Sequence, residues 1–175
     1  VMDPIYIFIV VILLALAVIG LIVGVSNDAV NFLNSAIGSK AAPRWIIMTV
    51  ASAGIIIGAL SSSGMMEVAR SGVFYPDQFT FSDVMMLFLG VMFANVILLD
   101  MFNTVGLPTS TTVSLVVGLL GAAIAVAATK IIGSDTLTMA DLSGYINSGK
   151  AMVIISAILV SVAVAFVAGS IIMYV

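Results

Sequence analysis

Long apolar runs alternate with short polar stretches along this chain. Ile5–Val25 has no charge in its interior. Trp45–Leu60, Val84–Phe102 and Val113–Ala128 follow, and a last run begins near Ala151 and reaches the final residue. A hydrocarbon core about 30 Å thick takes roughly 20 helical residues, so the pattern predicts about five transmembrane segments. Pro43-Arg44 and Ser61-Ser62-Ser63-Gly64 bound the second run, and Gly106 and Pro108 separate the third from the fourth. The connections Met65–Ser82 and Thr129–Gly149 hold most of the charge and read as aqueous loops. Gly, Ala and Ser are frequent inside the runs, which suits close helix packing without water. The first run lacks the basic flank of a signal peptide and is longer than an export h-region. Lys40 and Arg44 favour the loop after it on the inside, whereas Lys130 and Lys150 oppose that orientation.

Composition fixes the class. Hydrophobic residues make up 63% of the 175 and charged residues 7%, against roughly half and a quarter in soluble domains. That excludes a soluble enzyme and a disordered segment. Five Lys plus Arg against eight Asp plus Glu give no basic face for nucleic acid. Without Cys there are no disulfides or thiolate metal sites, and without His the commonest proton shuttle is missing. The expectation is an all-α integral membrane protein, one transmembrane unit over residues 1–175, multi-pass in a lipid bilayer of the bacterial inner (plasma) membrane type.

Two polar segments stand out against this background. The first is Gly24–Ser39. At about 100° per residue, Asn27, Asp28, Asn31, Asn34, Ser35 and Gly38 share an arc of about 120°, with Ala29, Val30, Phe32, Leu33, Ala36 and Ile37 opposite. A helix lying on the membrane surface usually carries Lys or Arg on its polar face. This face has none before Lys40, so a polar face lining a cavity fits better. Carboxylate and amide oxygens suit a hard cation, and amide N–H and hydroxyl groups can donate to an anion.

The second segment is Gly106-Leu107-Pro108-Thr109-Ser110-Thr111-Thr112-Val113-Ser114. Pro108 suits the start of a new helix, with Ser110, Thr111 and Thr112 in or beside its first turn. Free N–H groups and hydroxyls there form an anion site without a cationic side chain; an ordinary helix cap is the competing reading. No Gly-Lys-Ser/Thr follows, so this is not a P-loop. Asp100 is either a cation ligand or an interfacial residue near Asn103. Its cost at mid-membrane, about 2.5–3.5 kcal/mol, is within what the flanking apolar residues offset at about 0.3–0.6 kcal/mol each.

Together the two segments resemble the signatures of the inorganic phosphate transporter (PiT) family, the sodium- or proton-coupled phosphate permeases. Asn27, Asp28 and Asn31 match its Asn-Asp-x-x-Asn pattern, Gly38-Ser39 match the end of that stretch, and Gly106–Thr112 match its Gly-Leu-Pro-x-Ser-Thr-Thr pattern. The resemblance covers roughly Ile5 to Gly121. The chain departs at Ser26, at Val30, at Asn34-Ser35 where Gly-Thr is usual, and at Val113 where His commonly follows. These departures leave the hydroxyl and carboxylate ligands intact.

The resemblance implies broken or re-entrant helices and one half of an inverted repeat, with the missing second repeat or a second copy of the chain in a homodimer completing the site. It implies that Asn27, Asp28 and Asn31 bind sodium, with Asp28 as the metal ligand, and that Ser110, Thr111, Thr112 and Ser114 bind phosphate. Asn34, Ser35, Asp100 and Asn103 are further candidates. The implied function is symport of phosphate with sodium (or a proton) as the coupling ion, with no cofactor and no enzymatic step. Two rival readings stand beside it: a proton-coupled permease for another oxyanion such as sulfate, and a membrane assembly subunit in which Asp28 and Asp100 are pairing groups.

Overall fold

The computed structural model describes residues 3–63, 67 and 72–174. Among these residues five long helices dominate: α1 (Pro4–Gly38), α2 (Arg44–Leu60), α3 (Phe81–Val105), α4 (Thr111–Ile132) and α5 (Ser148–Tyr174). They correspond to the five apolar runs, and the protein is an all-α membrane protein. Helices α1, α3, α4 and α5 are long and apolar enough to cross a bilayer, whereas α2 is apolar but has only 17 residues, about 26 Å at 1.5 Å per residue. Gly64 and part of the Met65–Ser82 connection lie outside the described residues.

Helix α1 joins what the apolar pattern separates. The Ile5–Val25 run and the polar segment after it form one continuous helix of 35 residues, about 52 Å long. No proline and no cap interrupts Gly24–Asn31, and the Ser26 hydroxyl donates back to the Ile22 carbonyl at 2.8 Å, so the side-chain character changes while the backbone continues. The helix opens with Pro4 at its first position and the Asp3 carboxylate accepting from the Ile5 N–H at 3.1 Å.

Side-chain contacts set the directions of the central three helices. Tyr6 packs edge-on against Phe81, with centroids 5.1 Å apart, and Asn27 meets Asn103 further along the same two helices. Helices α1 and α3 therefore run parallel. Lys130, near the end of α4, pairs with Asp83 at the start of α3 at 2.8 Å, so α4 returns antiparallel. Gly20 and Gly24 lie one turn apart on α1 and face the other two helices: a Cβ at Gly20 would meet Val96 at 3.4 Å and one at Gly24 would meet Thr111 at 3.6 Å. This spacing of small residues lets the helix backbones approach closely.

The two connections expected to be aqueous loops pack on each other. Phe74 and Ile146 form an isolated antiparallel bridge, with the Tyr75 N–H donating to the Tyr145 carbonyl at 3.0 Å and the Asn147 N–H to the Val73 carbonyl at 3.1 Å. Val73 and Phe74 are 0% and 1% exposed. Phe79 stacks edge-on with both Phe74 and Tyr145, and the Lys130 ammonium sits 5.7 Å from the Phe79 ring centroid. Asp77, Asp135 and Asp141 are exposed, and the buried apolar residues of these segments continue the α3–α4 core over its end. Phe74→Ala should cost about 3–5 kcal/mol, read as a fall in the thermal unfolding midpoint of the detergent-solubilised protein. A change under about 1 kcal/mol would mean the two connections are not part of the packed unit.

Candidate functional site

The polar residues converge where α3 ends, α4 begins and α1 passes alongside. The chain reaches this point through a specific break. Gly106 closes α3 in the left-handed conformation, with φ 75° and ψ 24°, a backbone state that costs glycine little. Its N–H donates to the Asn103 carbonyl, and the Leu107 N–H donates to the Phe102 carbonyl at 2.9 Å, so two of the last carbonyls of α3 are satisfied. Pro108 does not begin the next helix, as its position in the sequence suggests. Ser110 does: its hydroxyl accepts from the Val113 N–H at 3.3 Å and α4 starts at Thr111. A side-chain cap outcompetes the proline because it satisfies one of the free N–H groups.

Around this break lies an open cavity of about 460 Å³ lined by Asp28, Asn31, Pro108, Thr109, Ser110, Thr111 and Thr112. The Thr111 hydroxyl donates to the Asp28 carboxylate at 3.3 Å. The two motifs, more than 70 residues apart in sequence, thus supply opposite walls of one space. A second cavity of about 230 Å³ shares Asp28, Thr111 and Thr112 and extends toward Gly20, Gly24 and Asn95. Ser110 and Ser114 face a third, more apolar cavity of about 530 Å³ between α3 and α4, where the Ser114 hydroxyl donates to Asn95 at 2.7 Å.

The remaining candidates fall in different places. Asn27 is 3% exposed, the only buried polar side chain among the described residues. Its Nδ2 donates to Asn103 Oδ1 at 2.8 Å, and its Oδ1 accepts from the Thr109 N–H at 3.2 Å. Asn31 lies on the cavity wall and donates to the Thr109 carbonyl at 3.4 Å. Asn103 donates to the Val23 carbonyl at 3.1 Å. Asn34, Ser35 and Asp100 are exposed and line none of these three cavities. Asp100 follows Leu99, which is buried, so one step of about 100° turns its carboxylate away from the neighbouring helices. Asn95 is the residue that motif reading missed. Its signal was its spacing: Asn95, Leu99 and Asn103 lie four apart and share the face of α3 turned toward α1 and α4.

The arrangement places acceptors and donors in one cavity without a cationic side chain. Asp28 offers a carboxylate to a cation. On the other wall, Ser110, Thr111 and Thr112 offer hydroxyls, and the first turn of α4 offers N–H groups that have no intrahelical acceptor. The Val113 N–H is taken by the Ser110 cap and the Ser114 N–H by the Ser110 carbonyl, which leaves those of Thr111 and Thr112 for a ligand.

Comparison with known proteins places the chain in a family. The phosphate transporter family model matches residues 9–175. A protein of Thermococcus kodakarensis, named as a putative phosphate permease, is 31% identical over 130 residues, an alignment that covers 70% of this chain and 30% of that protein. The chain thus spans less than a third of that relative's length. No solved structure matches it. Two motifs that meet around one cavity, in a chain matched over nearly its whole length, lead to one assignment: the chain belongs to the phosphate transporter family.

Proposed function

We propose that this chain supplies about half of the site of a cation-coupled inorganic phosphate symporter in the plasma membrane, with sodium as the coupling ion. The observation that carries the reading is the shared cavity. Asp28 stands on the wall facing Ser110, Thr111 and Thr112, bridged to them by the Thr111 hydroxyl at 3.3 Å. An anion entering this space would be held by hydroxyls and helix N-terminal N–H groups and would face a carboxylate at close range.

That juxtaposition supplies the coupling. A carboxylate alone repels the anion. A cation at Asp28 reverses the sign: opposite unit charges about 4 Å apart attract by about 4 kcal/mol at an effective dielectric of about 20. That is nearly three factors of ten in affinity. By linkage, phosphate raises cation affinity by the same factor. In this reading Asp28 is the sodium ligand and Asn31 lies beside it, while Ser110, Thr111 and Thr112 hold phosphate; Ser114 faces the neighbouring cavity, where its hydroxyl donates to Asn95. The family assignment, and the fraction of its relative that the chain covers, support a second repeat or a second copy as the source of the remaining ligands. Rocking of the two halves would expose the site alternately.

The test is radiolabelled phosphate binding to the purified protein in lipid nanodiscs, with sodium replaced by choline and with competing sulfate. The expected result is saturable, sodium-dependent binding that sulfate displaces weakly. Equal displacement by sulfate would assign a broader oxyanion permease. Binding that follows pH and ignores sodium would make the proton the coupling ion.

A further inference from the structure

Four hydrogen bonds tie the last turn of α3 and the break after it to α1. From the Val23 carbonyl the path runs to Asn103 Nδ2 (3.1 Å), from Asn103 Oδ1 to Asn27 Nδ2 (2.8 Å), and from Asn27 Oδ1 to the Thr109 N–H (3.2 Å). Asn31, one turn beyond Asn27, takes the carbonyl of the same residue, Thr109, at 3.4 Å. The orientation of both amides is forced. A backbone N–H at one end can only meet an oxygen, and a backbone carbonyl at the other can only meet an NH₂ group. With those ends set, the central contact is donor to acceptor, and both carboxamides are used at both ends.

We infer that Asn27 and Asn103 are a positioning pair for the phosphate site: they hold the Thr109 backbone against α1, and so aim the Ser110–Thr112 donors at the space in front of Asp28. This rests on the functional reading above and assigns Asn27 a role different from ligation. Burial supports it. Asn27 is 3% exposed and does not line the cavity that Asp28 and Thr111 share. It borders instead a small space of about 70 Å³ with Asn103, Gly106 and Pro108, behind the break. The break itself has few internal hydrogen bonds: Pro108 has no N–H, and Gly106 and Leu107 use theirs to close α3. The Thr109 amide is therefore the handle by which α1 can fix where α4 begins. A donor displaced by even 1 Å contributes far less to anion binding, so the pair acts on affinity from outside the cavity.

The test compares Asn103→Ala, Asn27→Ala and the double variant in nanodiscs, with Asp28→Asn as the contrast. Three quantities are read: phosphate affinity at saturating sodium, sodium binding without phosphate, and deuterium exchange of the amides in residues 106–112. Each single variant is expected to weaken phosphate at least tenfold, to leave phosphate-free sodium binding within twofold, and to speed exchange of the segment at least tenfold. The double variant should be little worse than either single one, because one path is being cut twice. Asp28→Asn should do the reverse, losing sodium binding with exchange unchanged. Loss of phosphate-free sodium binding in Asn27→Ala but not in Asn103→Ala would overturn the inference and make Asn27 a cation ligand; unchanged exchange in both would overturn it as well. If Asn27→Ala does not fold, Asn103→Ala removes the more accessible end of the same path and decides alone. The exchange readout stands whether or not the wild-type protein binds phosphate, so a failure of the transport reading is separable from a failure of the pair.

Discussion

Asp28→Asn is expected to lower phosphate affinity in sodium roughly a hundredfold and to flatten its sodium dependence. In the folded protein Asp28 accepts from Thr111, at 3.3 Å. An asparagine has nearly the same shape and keeps an oxygen for that contact, so stability should change by less than about 1 kcal/mol. The charge is what disappears. The upper bound is the roughly 4 kcal/mol attraction between adjacent unit charges at a dielectric of about 20. The openness of the cavity to water, and the remaining oxygen ligands of the cation, reduce it toward about 2–3 kcal/mol, or about a hundredfold. A second consequence follows from the same argument. In choline the variant should bind phosphate as well as the wild type or better, because the repulsive carboxylate is gone. A sodium titration of phosphate binding, wild type against variant, measures both effects. If sodium dependence survives in the variant, the coupling ion binds elsewhere.

Ser110→Ala combined with Thr111→Val should act on the anion instead. Each hydroxyl that hydrogen-bonds a charged ligand contributes about 1.5–3 kcal/mol, so losing two should raise the phosphate concentration for half-saturation by about a hundredfold or more. The fold consequence is smaller and separable. Ser110 caps α4 through the Val113 N–H, and losing such a cap costs about 1 kcal/mol, visible as a small drop in the unfolding midpoint. Thr111→Val preserves volume but also frees Asp28 from its hydrogen bond. Phosphate-free sodium binding should therefore stay close to that of the wild type, since a cation-facing carboxylate keeps its charge. An unchanged half-saturation for phosphate would move the anion site away from the start of α4.

The helices were legible in the sequence because bilayer burial imposes long apolar runs, and each of the five runs became a helix. Their ends were less so. The apolar run that ends near Val25 does not end the helix, since the hydrophobic pattern reports which faces are apolar and α1 continues through the polar segment without a break. Pro108 pointed to the right turn but to the wrong first residue, because the Ser110 cap rather than the proline decides where α4 begins. Among the polar residues, Asp28 and Asn31 from the first motif and Ser110, Thr111 and Thr112 from the second line one cavity. Asn34 and Ser35 share the helical arc of Asn31, but they lie a turn further along α1, past the point where the break packs against it, and are exposed.

By itself the sequence determined the membrane class, the helical runs and the chemical inventory: carboxylate, carboxamides and hydroxyls with no cation beside them. Those follow from composition and from a periodicity of about 3.6 residues, both of which are local. Only the tertiary structure decided which of these groups share a space. That Asn27 meets Asn103 and the Thr109 N–H, that Asn95 meets Ser114, and that Val73 and Phe74 are among the most buried residues depend on α1 and α3 running parallel with α4 returning antiparallel. Helix direction and rotation are set by packing over many residues, here by Gly20 and Gly24 and by the Tyr6–Phe81 and Lys130–Asp83 contacts, and no short stretch of the chain encodes them.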